Sequence, residues 1–260
     1  MFRMICICCA ASALLFCGCS KSGTKPYRVG LVNFVAGKAE ITGPGGKVFP
    51  AAVGTPVDEG MTVRTIGKKS LCEIYVRDTA VKLFGDSKLA IARLGYAKKG
   101  TGEQTAMTLD EGRLFIRVAK KISKEDQFGV RTPLCVAAVR GTEFFVTKND
   151  VSCLDGKVEV RSAKSKAAPS VTIEEGESAA ATKAAVGKKD IAKDAKKKLS
   201  ADAEVRPVEK KNQEMFDRLD KGDSSALKGL KSKIRDMSGG AEKKKDEEHK
   251  PDVDLFFFTS

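Results

Sequence analysis

The stretch from Phe128 to Val160, FGVRTPLCVAAVRGTEFFVTKNDVSCLDGKVEV, constrains the fold of this chain more than any other. Apolar, β-branched and aromatic residues come in short runs, broken at Pro133, at Arg140-Gly141-Thr142 and at Asp155-Gly156. This is the pattern of consecutive strands joined by tight turns, and no helical period fits it. The stretch holds no nucleophile paired with a histidine, no phosphate loop and no cluster with metal-ligand spacing. Its chemistry suits folding and binding, and no catalytic residue, metal ligand or cofactor is assigned.

Strand signals continue toward the N-terminus. Residues 28–35 and 39–41 are separated by Gly37-Lys38 and predict a hairpin, followed by strands at 61–65, 71–76, 80–84 and 88–94. In the third of these, Ala80, Lys82 and Phe84 share one face and Val81 and Leu83 the other, as a period of two requires. The polar insert at 96–104 reads as a solvent loop. An acidic residue followed by glycine precedes a strand at Glu59-Gly60, Glu111-Gly112, Asp155-Gly156 and Glu175-Gly176. Each unit reads as a turn that launches a strand, and the uneven spacing excludes a strict repeat. Strands spaced about ten residues apart favour an all-β architecture, a short antiparallel sandwich, roll or solenoid, over a βαβ fold.

Taken in order, the landmarks Glu59-Gly60-Met61-Thr62-Val63, Leu109-Asp110-Glu111-Gly112-Arg113-Leu114, Arg131-Thr132-Pro133, Val139-Arg140-Gly141-Thr142-Glu143-Phe144 and Asp155-Gly156-Lys157-Val158-Glu159-Val160 resemble the FecR domain, the sensory half of ferric-citrate-type regulators. The resemblance spans about residues 28 to 182, and a β-domain is read over 27–182. It marks Arg131, Thr132, Pro133, Arg140, Gly141, Thr142, Glu143 and Phe144 as a binding or structural motif. The residues themselves suggest turn-setting: Pro133 lacks an N–H and suits a strand start or edge, Gly141 suits a bulge, and Arg140 could pair with Glu143 at the surface. Membrane-spanning FecR regulators are similar in carrying a cytoplasmic sigma-binding segment and a transmembrane helix. Neither is read in this sequence, where no later apolar run approaches about 20 residues, so anti-sigma activity is not carried over.

Residues 1–18 form a different kind of segment, with Arg3 followed by an apolar run from Met4 to Phe16. The run is too short for a permanent span and suits a secretory signal peptide. Phe16-Cys17-Gly18-Cys19 resembles the bacterial lipoprotein signal, with plain cleavage as the alternative. The resemblance implies that Cys19 is lipidated, that palmitate or a similar chain anchors the protein, and that 19–26 is a tether. The expected location is the cell envelope, anchored in a membrane and facing the periplasm or cell surface. Of the eight cysteines, Cys72, Cys135 and Cys153 lie in the body. Their apolar contexts suggest buried thiols, with a Cys135–Cys153 bridge as the alternative.

The formal charge of +13 raises the question of an anionic partner. Residues 27–180 hold 24 Lys+Arg against 18 Asp+Glu, and residues 183–250 hold 20 against 14, so the excess is spread and interspersed. Phosphate tracking needs clustered cations and base stacking needs aromatic platforms, so nucleic acid is not an expected partner.

Residues 183–205 are rich in Ala, Lys and Asp and read as a linker or exposed helix. Over 206–238, Val208, Met215, Phe216 and Leu219 share one helical face, and Leu227, Leu230, Ile234 and Met237 recur at helical spacing. With a turn and N-cap at 220–225, this predicts an amphipathic helical hairpin that packs on the β-domain or docks a partner. Residues 239–260 read as a charged, disordered tail ending in the apolar cluster Leu255, Phe256, Phe257 and Phe258, a folding-back or docking element. The leading functional expectation is a lipid-anchored envelope scaffold whose FecR-like domain binds another envelope protein or a glycan. The alternative is a periplasmic sensor component of a FecR-type signal-transduction system. An enzyme is the third reading: Asp58/Glu59 and Asp110/Glu111 are adjacent carboxylates, but neighbours on a strand point to opposite faces.

Overall fold

The computed structural model of the chain describes residues 26–96, 102–118, 125–139, 141–164, 169–182 and 185–239. Cys19, Arg140 and the terminal cluster Leu255–Phe258 lie outside the described residues. The first strands are β1 (Gly30–Thr42), β2 (Val48–Pro50), β3 (Pro56–Val57), β4 (Thr62–Val76), β5 (Thr79–Leu83) and β6 (Lys88–Tyr96). They are followed by β7 (Glu103–Glu111), β8 (Arg113–Val118), β9 (Gln127–Arg131), β10 (Cys135–Val139), β11 (Glu143–Thr147) and β12 (Asp150–Asp155). The last are β13 (Lys157–Ser162), β14 (Val171–Glu174), β15 (Glu177–Ala181) and β16 (Val186–Asp190), and then come the helices α1 (Lys193–Asp202), α2 (Lys210–Asp220) and α3 (Ser224–Met237).

All the strands join one sheet, in the order β14-β13-β10-β9-β7-β6-β4-β5-β8-β11-β12-β15-β16, with β1 on β4 and the short β2 and β3 on β1. The sheet curls until β14 lies against β15 and β16, giving a nearly closed, barrel-like wall. The mostly β architecture is what the strand spacing predicts, and the helices at its end are what the apolar spacing over 206–238 predicts; in place of a sandwich the strands form this single curled sheet. Every pairing is antiparallel except β7 with β9, which is parallel. That pair is joined through β8, which lies elsewhere in the sheet, so no local signal announces it.

The inner face is filled by strand alternation. Ile74, Val81, Leu83, Leu114, Ile116, Phe144 and Val146 point into one continuous core with Ile41, Met61, Leu89 and Leu109. Their neighbours Tyr75, Ala80, Lys82, Phe115 and Phe145 point to the outer face, as the pleat dictates. All four acidic-Gly turns adopt positive φ at Gly60, Gly112, Gly156 and Gly176, where a side chain would be strained.

Two strands are longer than their sequence suggests. The hairpin predicted at Gly37-Lys38 does not form: β1 runs straight through it, and Gly37 sits at φ +69° in a bulge where the register with β4 slips between Ala36 and Lys38. In the same way 61–65 and 71–76 belong to one strand, β4, with residues 67–70 looping out of register and Ser70 Oγ tying the loop by donating to Ile66 O. A glycine between apolar runs marks a bulge as readily as a turn, and the long partner strand decides which. A third irregularity lies between Val32 and Phe34, where Asn33 is the extra residue on β1. The insert at 96–104 is strand at both ends, since Tyr96 closes β6 and Glu103 and Gln104 open β7.

The segment after residue 182 is not only linker or helix, because β16 pairs with β15 and extends the sheet. The helical hairpin α2–α3 packs on the outer face of the sheet. Phe216, Leu219, Ala226 and Leu230 bury against Val29, Leu31, Tyr75 and Ala80, and Met237 reaches the main core. Asp223 caps α3 by accepting from Ser225 N and Ala226 N, which accounts for the sharp turn into that helix.

Cys72, Cys135 and Cys153 are buried free thiols. Burial first, and then the Glu73 carboxylate, pushes the Cys72 thiol from 9.0 up to about 12; burial and then Asp155 push Cys153 to about 12 as well. A raised thiol keeps its proton in the fold while the unfolded chain loses it, so stability is full below about pH 9 and falls as pH rises toward about 12. Iodoacetamide at about pH 8 is therefore expected to leave the three body thiols unmodified in the folded chain and to label all three in urea. Peptide mass spectrometry reads the outcome, and rapid labelling of folded Cys153 would contradict the packing described.

Candidate functional site

The motif residues occupy two turns. Thr132 is buried between β9 and β10, where its Oγ1 accepts from Leu134 N and Cys135 N at 3.2 and 3.0 Å and donates to Lys148 O at 2.8 Å. Pro133 is the exposed corner of the same turn, and Arg131, at the end of β9, points a guanidinium Nη2 at Ala163 O, 3.5 Å away. At the second turn Gly141 has φ +65°, and buried Thr142 donates through Oγ1 to Lys157 O at 3.0 Å. This turn nests against the one at Gly156, where an added Cβ would stand 2.8 Å from Gly141 O. Glu143 pairs with Arg117 of β8 at 2.7 Å, so its described partner is across the sheet rather than Arg140. Phe144 is fully buried in the core. The motif thus locks strand ends together, and among the described residues its polar atoms are spent on neighbouring turns and strands.

Polar and aromatic side chains of the same strands gather on their outer face. Cross-strand register sets Phe34, Glu73, Lys82, Phe115 and Phe145 in one row from β1 to β11. A second row holds Tyr75, Ala80, Arg117 and Glu143. Phe115 and Phe145 pack with ring centroids 4.9 Å apart, and Arg113 lies over the Phe145 ring at 4.3 Å. Glu73 is only 1% exposed and Lys82 8%, a pair of charges that a sheet tolerates only when both are satisfied.

They are satisfied by the chain's own residues 202–209, which cross this face. Lys82 Nζ donates to Asp202 O at 3.1 Å and to Glu204 O, Arg117 to Ala203 O at 3.3 Å, and Tyr75 OH to Arg206 O at 2.6 Å. The bulged Asn33 donates to Pro207 O at 3.0 Å and accepts from Glu209 N at 2.7 Å. Glu73 accepts from both Arg206 N and Arg206 Nη1 at 3.2 Å, while that guanidinium lies 3.4 Å over the Phe34 ring. Arg113 holds Asp202 at 2.8 Å, and Ala203 inserts against Phe115 and Phe145. Burial lowers the Lys82 pKa, opposed by Glu73. The face therefore holds, with long side chains, the backbone carbonyls at the end of α1 and of the non-helical segment that follows it, and has room for the small Ala203 between two aromatic rings.

Of this face only Glu143 and the shared side of Ala80 and Lys82 are marked in the sequence. The available signal was Glu73 in LCEIYV and Lys82 in AVKLF, opposite charges set in the middle of two apolar strands that a short turn makes neighbours. The acidic pairs are otherwise engaged: Asp58 is buried and accepts from Tyr27 OH at 2.6 Å, Glu59 pairs with Arg93, and Asp110 with Lys88. No group of three or more metal-ligating side chains occurs among the described residues. No helix among the described residues is long and apolar enough to cross a membrane.

Residues 61–159 match the FecR protein family model. The match begins at the start of β4 and ends within β13, and so holds Glu73, Lys82, Phe115, both turns and Phe144. None of the curated proteins matches the chain. Two crystal structures of a "putative anti-sigma factor" from Parabacteroides distasonis ATCC 8503 are similar to it, at 22% identity with a TM-score of 0.39 and at 20% with a TM-score of 0.40. In both cases the similarity covers 53% of this chain and 62% of the other, so it spans less than two thirds of those structures.

Proposed function

We propose that this chain is a component of a FecR-type signal-transduction system, with its FecR-like sheet held on the outer side of a membrane by a lipid on Cys19. The observation that carries the reading is the family match over residues 61–159, which takes in β4, β5, β8 and β11 but not β1. A component of this kind needs a folded domain, and the matched strands supply one whose outer face is closed by the chain's own residues 202–209. The lipid-anchor part rests on Gly18-Cys19 after an apolar leader. The envelope-scaffold reading, with a structural protein or glycan as the bound partner, has no observation in its favour.

The test uses one set of strains: deletion of the gene, complementation with the wild type, and complementation with Cys19→Ala. The deletion should shift the transcripts of a defined regulon, and the wild type should restore them. Palmitate should label the wild-type protein and not Cys19→Ala. Equal labelling of both removes the anchor; a transcript profile unchanged by deletion removes the signalling role.

A further inference from the structure

The helical hairpin leaves a groove of about 220 Å³ between α2, α3 and the start of β1. Leu31, Met215, Ala226 and Leu230 supply its apolar surface, and Lys211 and Lys233 stand at its rim. Neither lysine has an ion-pair partner among the described residues, whereas Arg218, the third cation there, is held by Asp223 at 2.7 Å.

Two features bear on what this groove can hold. The first is Asn212, 1% exposed on α2. Its Nδ2 donates to Val32 O at 2.9 Å and to Asn33 Oδ1 at 3.3 Å, which fixes the orientation of the amide, and its Oδ1 is left buried without a hydrogen-bond partner among the described residues. That oxygen lies 3.7 Å from where a Cβ on Gly54 would stand, and both residues line the groove. A buried acceptor without a donor is unfavourable, and an N–H entering the groove would satisfy it. The second is Gly229, in the middle of α3. A Cβ there meets nothing within 4 Å, so alanine would fit and would favour the helix; glycine instead keeps the wall open.

The groove is smaller than the about 300–1,000 Å³ typical of small-molecule sites, and its size suits inserted side chains of a peptide. The required peptide has apolar side chains for the floor, carboxylates for Lys211 and Lys233, and a backbone N–H for Asn212 Oδ1. This chain carries such a segment: Asp252-Val253-Asp254-Leu255-Phe256-Phe257-Phe258. Leu255 is sixteen residues beyond Gly239, a length that spans at most about 53–58 Å. The groove is far nearer, since Lys233 and Ser225 stand six and fourteen residues before Gly239, about 9 and 21 Å along the helix axis. Attachment to the same chain raises the local concentration of the segment over that of any separate competitor.

We propose that this groove is the docking site of the chain's own terminal segment, with one or more of Phe256, Phe257 and Phe258 on the apolar floor, Asp252 and Asp254 toward Lys211 and Lys233, and Asn212 Oδ1 accepting a backbone N–H. The proposal stands independently of the signalling role.

The test follows the Met215 methyl signal by NMR in the full chain and in a chain ending at Pro251, with a synthetic peptide of residues 250–260 as the probe in trans. Removing the segment should shift the Met215 signal, and adding the peptide should restore it. Phe→Ser at 256, 257 and 258 should weaken the peptide by about tenfold to a hundredfold. Gly229→Leu, which fills the groove without touching the core, should abolish the response in both formats. A Met215 signal indifferent to the segment overturns the proposal, as does undiminished peptide binding by Gly229→Leu. A shift that appears only as protein concentration rises places the segment in a second copy and overturns the intramolecular assignment.

Discussion

Phe144→Ala is expected to destabilise the folded chain by about 3–5 kcal/mol. The side chain is fully buried, on β11 between Ile116 of β8 and Cys153 of β12, just after the motif turn. Its removal leaves a cavity that three hydrogen-bonded strands cannot close, so the transfer loss and the cavity cost add. A typical domain has only about 5–15 kcal/mol in total, so a large part of the stability goes. Urea titration followed by far-ultraviolet circular dichroism measures the effect, and Phe144→Leu, which keeps most of the volume, should cost less than about 1.5 kcal/mol. If Phe144→Ala cost under about 1 kcal/mol, the hydrophobic end of the motif would have to lie outside the core.

The second large effect is expected at Glu73. Glu73→Ala should cost about 3–5 kcal/mol, because it removes the strongest counter-charge of buried Lys82 and the acceptor of Arg206. The 4.0 Å separation of Lys82 Nζ from Glu73 Oε1 makes the direct pair a modest one. The hydrogen bonds from Arg206 N and Nη1 to the carboxylate are shorter at 3.2 Å, so the loss falls as much on residues 202–209 as on the sheet. Two readouts separate this from a general packing defect. Amide exchange at Arg206 should accelerate more than at Val81 of the neighbouring core. A Glu73→Leu, Lys82→Met double variant should recover most of the lost stability, since buried ion pairs are often replaceable by apolar residues of similar size. Failure of the double variant to recover would mean that the charges are not each other's compensation.

The local grammar of the fold was legible in the residues, and the long-range grammar was not. Each acidic-Gly unit does open a strand, and the alternation of Val81 and Leu83 against Ala80, Lys82 and Phe84 does separate the inner from the outer face. Gly37, a glycine between apolar runs without a preceding acidic residue, lies in a bulge, because β1 and β4 are each other's partners over nearly their whole length. The pairing decides between bulge and turn there. The apolar stripe of the helical hairpin was readable from Phe216, Leu219, Leu227 and Leu230, but what it covers was not. The target is an outer-face patch of Leu31, Tyr75 and Ala80, drawn from three strands that become neighbours only in the folded sheet. Glu73 and Asn33 show the same limit: each is one polar residue in an apolar strand until residues 202–209 arrive over 100 positions later.

The outer face of the sheet holds the end of α1 and the segment after it by their carbonyls. The helices this segment leads into then carry the groove with the unsatisfied Asn212. The side chains that hold this segment stand on the sheet, where their positions are set by register rather than by loops.

The direct measurement is transcriptional. Transcript profiles of the deletion strain, the wild type and a strain overproducing the chain should differ in one coherent regulon, moving in opposite directions on deletion and overproduction and returning on complementation. Profiles that coincide in all three strains would contradict a signalling role.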